Sequence, residues 1–144
     1  MLSYQAQALN ITVTAKVVVP PCVVNNGNVI SVDFGDAILI PQINGQNYRT
    51  TIPYTIQCDV SAPDALKLQI RGSGATFNSD ALETSQSGLG IVFYQDGQPL
   101  ALNDKLDVSY SALPTFEAAP VKEMGTKLLG GAFTAGATLA IYYN

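Results

Sequence analysis

The side chains able to do chemistry are few. Cys22 and Cys58 are the only thiols, and the 144-residue chain has no histidine. That removes Ser-His-Asp and Cys-His nucleophiles, His-ligated metals and the usual general base near neutral pH. Two carboxylate pairs, Asp104 with Asp107 and Glu117 with Glu123, could in principle serve as acid and base. Their spacing does not set them apart from solvated loop positions, so no catalytic residue is assigned. Gly72-Ser-Gly74 and Gly88-Leu-Gly90 look superficially like phosphate loops. They lack the third glycine, the lysine and the helix that should follow, and read as loops or strand starts. Tyr142-Tyr143 could stack on a sugar, but a strand end with one ring on each face explains the pair equally. Asn10-Ile-Thr12 is a glycosylation sequon that reads as the polar face of a strand.

An isolated cysteine pair without histidine is a poor metal site, and neither a metal nor a cofactor is expected. One Cys22–Cys58 disulfide places the chain in the periplasm or outside the cell. The alternative is two buried thiols in a cytosolic protein. Closing a loop of roughly 35 residues is worth roughly 4 kcal/mol on the chain-entropy account. Seven Lys/Arg against eleven Asp/Glu leave a net charge of −4. The basic residues are scattered, which argues against a nucleic-acid face. Charged residues make up 12% and apolar residues 47%, too apolar for disorder and short of polar cover for a solitary surface. Some apolar area is therefore expected to meet a partner. No stretch is long and apolar enough to span a membrane as a helix, so the chain is not expected to be membrane-embedded.

Residues 1–8 end in Ala6-Gln7-Ala8, a signal-peptidase pattern, and read as a signal-peptide remnant. Helical periodicity is weak, and strand signals recur. From Leu9 to Val19 the residues alternate: Leu9, Ile11, Val13, Ala15, Val17 and Val19 share one face, and Asn10, Thr12, Thr14 and Lys16 the other. Pro20-Pro21 interrupts this run and Cys22-Val-Val resumes it. Further strands are expected at Val29–Phe34, Arg49–Cys58, Ala65–Arg71, Leu89–Tyr94, Gln98–Leu102, Thr115–Lys122 and Gly131–Asn144. Pro53 marks an edge or bulge, and Asp96-Gly97 a tight hairpin turn. Residues 35–48, 72–88 and 103–113 read as loops. About seven strands at this spacing argue for an all-β sandwich of immunoglobulin type. Its long first strand is apolar on one face, and its last strand puts Phe133, Ala135, Ala137, Leu139, Ile141 and Tyr143 on one face. Both ends look as though they want partners.

Val17-Val-Val-Pro-Pro-Cys-Val-Val-Asn-Asn-Gly27, followed by Val32-Asp-Phe-Gly35, resembles the start of the minor tip pilins of chaperone–usher fimbriae, nearest to the tip-adaptor type of P pili. Leu139-Ala-Ile-Tyr-Tyr-Asn144 is similar to their C-terminal end, with a penultimate Tyr143 and with Gly131 fourteen residues from the end. The placing of the two cysteines, on the first and third strands, matches as well. Ala15 departs from the pattern, because many of these subunits carry glycine there.

The resemblance implies an incomplete immunoglobulin-like sandwich (residues 20–144) lacking its seventh, G, strand. Residues 9–19 would be a donor-strand extension, with Leu9, Ile11, Val13, Ala15 and Val17 entering a neighbour's groove. Gly131, Phe133, Ala135, Ala137, Leu139, Ile141, Tyr143 and Asn144 would frame this subunit's own acceptor groove and meet the chaperone. The implied partners are a periplasmic pilus chaperone, an outer-membrane usher, the adhesin's pilin domain and the next tip pilin subunit. The implied function is a structural fimbrial subunit at the fibre tip, joined by strand addition, secreted through the periplasm and not an enzyme. Another minor tip pilin is the near alternative. A self-complete sugar-binding adhesin domain is the alternative from a different class. It has no use for a free apolar N-terminal strand, and the chain lacks tryptophan, the best sugar-stacking residue.

Overall fold

The computed structural model describes residues 21–143. The expected signal-peptide remnant, the donor segment Leu9–Val19 and Asn144 lie outside them. The described residues form antiparallel sheets packed face to face. In one layer the order is β2 (Thr50–Thr51), β10 (Phe116–Lys122), β7 (Leu89–Gln95), β6 (Asn78–Glu83), β5 (Gly74–Ala75), with β8 (Gln98–Leu100) also on β7. Facing it, β4 (Ala65–Arg71) lies between β11 (Thr138–Tyr143) and β9 (Lys105–Ser109). A short pair, β1 (Cys22–Val24) with β3 (Ile56–Cys58), completes the set.

The core follows from period-2 alternation. In β4, Leu66, Leu68 and Ile70 are buried, and Lys67 and Gln69 turn away from them. Across the sandwich these residues share one apolar cluster with Ile91, Phe93, Phe116 and Ala118, and Cys22 and Ile56 join it. β7 is buried on both faces over most of its length, because residues 36–48 fold over its outer side. There Ile43 packs with Leu89 and Leu128, and the Tyr94 hydroxyl donates to the Gly45 carbonyl.

The Asp96-Gly97 turn forms as expected: Gln95 faces Gln98, and both turn residues have positive φ, the geometry of a type I′ hairpin. Pro53 falls where the chain leaves one sheet for the other, between β2 and β3. Other expectations need correction. Residues 72–88 contain β5 and β6, and residues 103–113 contain β9. Among the described residues Val29–Phe34 is in no ladder, and the last strand begins at Thr138, not Gly131. The second correction has a local cause. β11 runs beside β4 from Thr138, opposite Arg71, and β4 ends there. Its chain is turned aside at Gly72, whose N–H and C=O both bond the Asn103 side-chain amide (3.0 and 3.1 Å). Gly136 and Ala137 still lie beside Gly72, and residues 131–135 run on outside the ladder.

Candidate functional site

Two segments that join no ladder among the described residues, 29–35 and 131–137, flank a groove of about 780 Å³. Along the first segment Ile30, Val32 and Phe34 are half-buried, and Val29, Ser31 and Asp33 are exposed. That is the alternation of a strand, with no strand beside it among the described residues. The second segment supplies Gly131, Phe133, Ala135 and Ala137, and the wall continues into Leu139. It is pinned at Thr134, whose carbonyl accepts from Ser85 N–H (2.8 Å) and whose N–H donates to Ser85 Oγ (2.9 Å).

The groove floor consists of core residues from both layers: Ile70, Leu82, Ile91, Phe93, Phe116 and Ala118. The groove is thus an opening into the hydrophobic core, with Asp33 and Asp36 the charged residues on its rim. Such a slot favours an apolar strand, which could pair with wall backbone that no ladder engages and set alternate side chains on the floor. Left empty, it presents unpaired strand edges beside apolar surface.

Five of the eight residues expected to frame the groove, from Gly131 to Leu139, line it. Ile141 and Tyr143 lie beyond its end. Ile141 pairs opposite Leu68 inside the sheet, and the Tyr143 hydroxyl accepts from Cys22 N–H (3.2 Å) at the disulfide end of the molecule. Asn144 and the donor residues Leu9, Ile11, Val13, Ala15 and Val17 are outside the described residues. The wall 29–35 and the six-residue floor carried no expected role. Their signal was the second alternating run, Ile30-Val32-Phe34, which matches the wall around Phe133 in kind.

Cys22 and Cys58 are direct cross-strand partners and form a disulfide. Of each candidate carboxylate pair, one member is engaged elsewhere. Asp107 pairs with Lys67, and Glu117 lies 3.8 Å from Arg49, which stacks over the Tyr94 ring. Lys105 covers the Tyr142 ring at 4.2 Å, and the Tyr142 hydroxyl donates to Gln69. That ring is not open for a sugar, and Tyr142 and Tyr143 point to different faces. Among the described residues there is no cluster of three metal-ligating side chains, and no helix is long and apolar enough to cross a membrane.

An all-β sandwich of immunoglobulin type, opened to its core along one side between two unpaired segments, is the class of protein these features define. The family model described as "Fimbrial protein" matches residues 9–144, and the chain belongs to that family. The fimbrial-like protein YfcQ of Escherichia coli K12 is 36% identical over 131 residues, covering 87% of this chain and 80% of the relative. The fimbrial adapter PapF of Escherichia coli is 28% identical over 152 residues, covering 94% and 88%. The solved structure of the P pilus adaptor subunit PapF superposes with a TM-score of 0.66 at 27% identity, over 87% of this chain and 97% of that one. The protein is a structural subunit of chaperone–usher pili, which stand on the cell surface and are built of pilin contacting pilin; the family is not one of enzymes.

Proposed function

We propose that this subunit is the tip adaptor of its fimbrium and joins the adhesin to the next tip subunit by donor-strand exchange. Its extension, with Leu9, Ile11, Val13, Ala15 and Val17 inward, enters the adhesin's pilin domain. Its own groove takes a strand first from a periplasmic chaperone and then, at the outer-membrane usher, from the next subunit. The sandwich is one strand short, and the G strand is supplied in trans. The observation that carries this reading is the groove itself: two walls that join no ladder among the described residues, over a floor of core side chains. The likeness to PapF, named an adapter, supports the place at the tip.

Site-specific crosslinking in assembled fibres tests the reading. A photocrosslinker at Thr12 should trap the adhesin, and one at Ala135 should trap a different tip subunit. Trapping of the same subunit type from both positions, or several copies of this chain per fibre, would place it elsewhere among the minor pilins.

A further inference from the structure

The sequence has two Asn-Gly pairs, Asn26-Gly27 and Asn44-Gly45. Such a pair can modify itself. The glycine amide nitrogen, once deprotonated, attacks the asparagine side-chain carbonyl carbon. A C–N bond forms, ammonia leaves, and a five-membered succinimide results. Water then opens the ring. Attack at the side-chain carbonyl gives aspartate. Attack at the main-chain carbonyl gives isoaspartate, in which the backbone runs through the side-chain methylene. Glycine permits the approach because it has no Cβ.

The fold treats the two pairs in opposite ways. At Asn44-Gly45 both reacting groups are committed. Gly45 N–H donates to the Pro120 carbonyl (2.9 Å), and Asn44 Oδ1 accepts from the N–H groups of Gln46 (2.9 Å) and Asn47 (2.7 Å). Gly45 is also buried, and a Cβ there would touch Val121 Cγ2 at 3.5 Å.

The turn at Asn26-Gly27 is braced from outside its tip. Asn28 N–H donates to the Asn25 carbonyl (2.9 Å), and Asn25 Nδ2 donates to the carbonyls of Asn28 and Val29 (3.2 Å each). Among the described residues the Asn26 side chain has no hydrogen-bond partner, and the Gly27 amide sits in the single 3-10 turn Asn25–Gly27 with no bond beyond it. Both residues are exposed, and a Cβ at Gly27 would meet nothing within 4 Å. Asn25 and Asn26 hold φ of 50° and 53°, a left-handed conformation strained for residues other than glycine.

We propose that Asn26-Gly27 is a self-modification site that converts to aspartyl and isoaspartyl forms in the folded protein, while Asn44-Gly45 is protected. The turn joins the disulfide-held β1 to the wall 29–35. An isoaspartyl link lengthens the main chain at that joint. On the groove reading above, this loosens one wall's hold on an inserted strand.

The test is incubation of the full-length protein at mildly alkaline pH, folded and in denaturant. Peptide mass mapping and isoaspartate methyltransferase labelling then read each site. Freeing a buried, bonded amide makes Asn44 slower than Asn26 by roughly ten- to a hundredfold in the folded protein, and the two should react comparably in the unfolded chain. Asn26→Gln should remove the labelling at its own site and leave Asn44 unchanged. Equal folded rates, or an Asn26 that reacts only in denaturant, would overturn the proposal. Capture by the periplasmic chaperone, compared between aged and fresh protein, reads the consequence for the wall. Equal capture overturns that consequence. No capture by either sample counts against the groove reading, and the labelling ratio still decides the modification.

Discussion

The rings of Phe34 and Phe133 stack across the groove, with centroids 6.2 Å apart and planes 24° from parallel. They come from the two walls, which share no ladder, and both pack against the main core cluster. With no backbone pairing between the walls, this contact is a direct tie from one to the other. Phe133→Ala should destabilise the protein by about 2 kcal/mol, less than a fully buried phenylalanine because the ring is half-exposed. Adding Phe34→Ala in a double-mutant cycle under urea should show a coupling of about 1 kcal/mol. Strict additivity would mean that the rings do not hold the walls together.

The disulfide joins Cys22 and Cys58 as facing residues of β1 and β3, and so holds the chain just before the wall 29–35. Replacing both cysteines with alanine should lower stability by roughly 4 kcal/mol on the chain-entropy account. Reductant should do the same to the unmodified protein and nothing to the variant. Thiol titration of the unfolded, unreduced protein should find no free cysteine.

Much of this was legible in alternation. Leu66-Leu68-Ile70 and the Asp96-Gly97 turn were placed because each carries a local pattern: buried residues two apart, or a turn pair that tolerates positive φ. β9 alternates too, but with only two half-buried apolar residues, Leu106 and Val108, inside a polar stretch it reads as loop. β6 was not placed, because its buried residues, Ala81 and Leu82, are adjacent and show no alternation. The opposite error occurred at Val29–Phe34 and Gly131–Ala137. Both have strand-like sequence, yet strand structure needs a neighbour, and which neighbour is missing is not a local property. A groove is legible as alternating walls; its floor depends on which core residues the topology leaves uncovered.

Burial, and then the nearby Asp96 carboxylate, push the Tyr54 phenol up from 10.0 to about 12. Its hydroxyl donates to the Pro114 carbonyl. The folded state therefore keeps this proton after the unfolded chain has lost it. The resulting stabilisation is complete below the unfolded value and is lost as pH rises from about 10 through about 12. Spectrophotometric titration should show one late-titrating phenol that Tyr54→Phe removes, and the variant's stability should fall less steeply over that range. An unchanged titration curve would place the shifted phenol elsewhere.

Donating and accepting use different parts of the chain on the proposed reading, so they should fail separately. Ile11→Asp puts a charge on the apolar face of the donor segment, where burial without a partner is costly. It should stop this subunit from joining the adhesin's pilin domain while its own complex with the chaperone persists. Leu139→Asp puts the charge on the groove wall, where Leu139 is half-buried and packs on the core. It should prevent chaperone capture, and the subunit should then aggregate or be degraded. Co-purification from the periplasm reads both outcomes. If Ile11→Asp also abolished chaperone binding, Ile11 would belong to this subunit's own core. If Leu139→Asp left chaperone binding intact, the groove between Phe34 and Phe133 would not be where the strand enters.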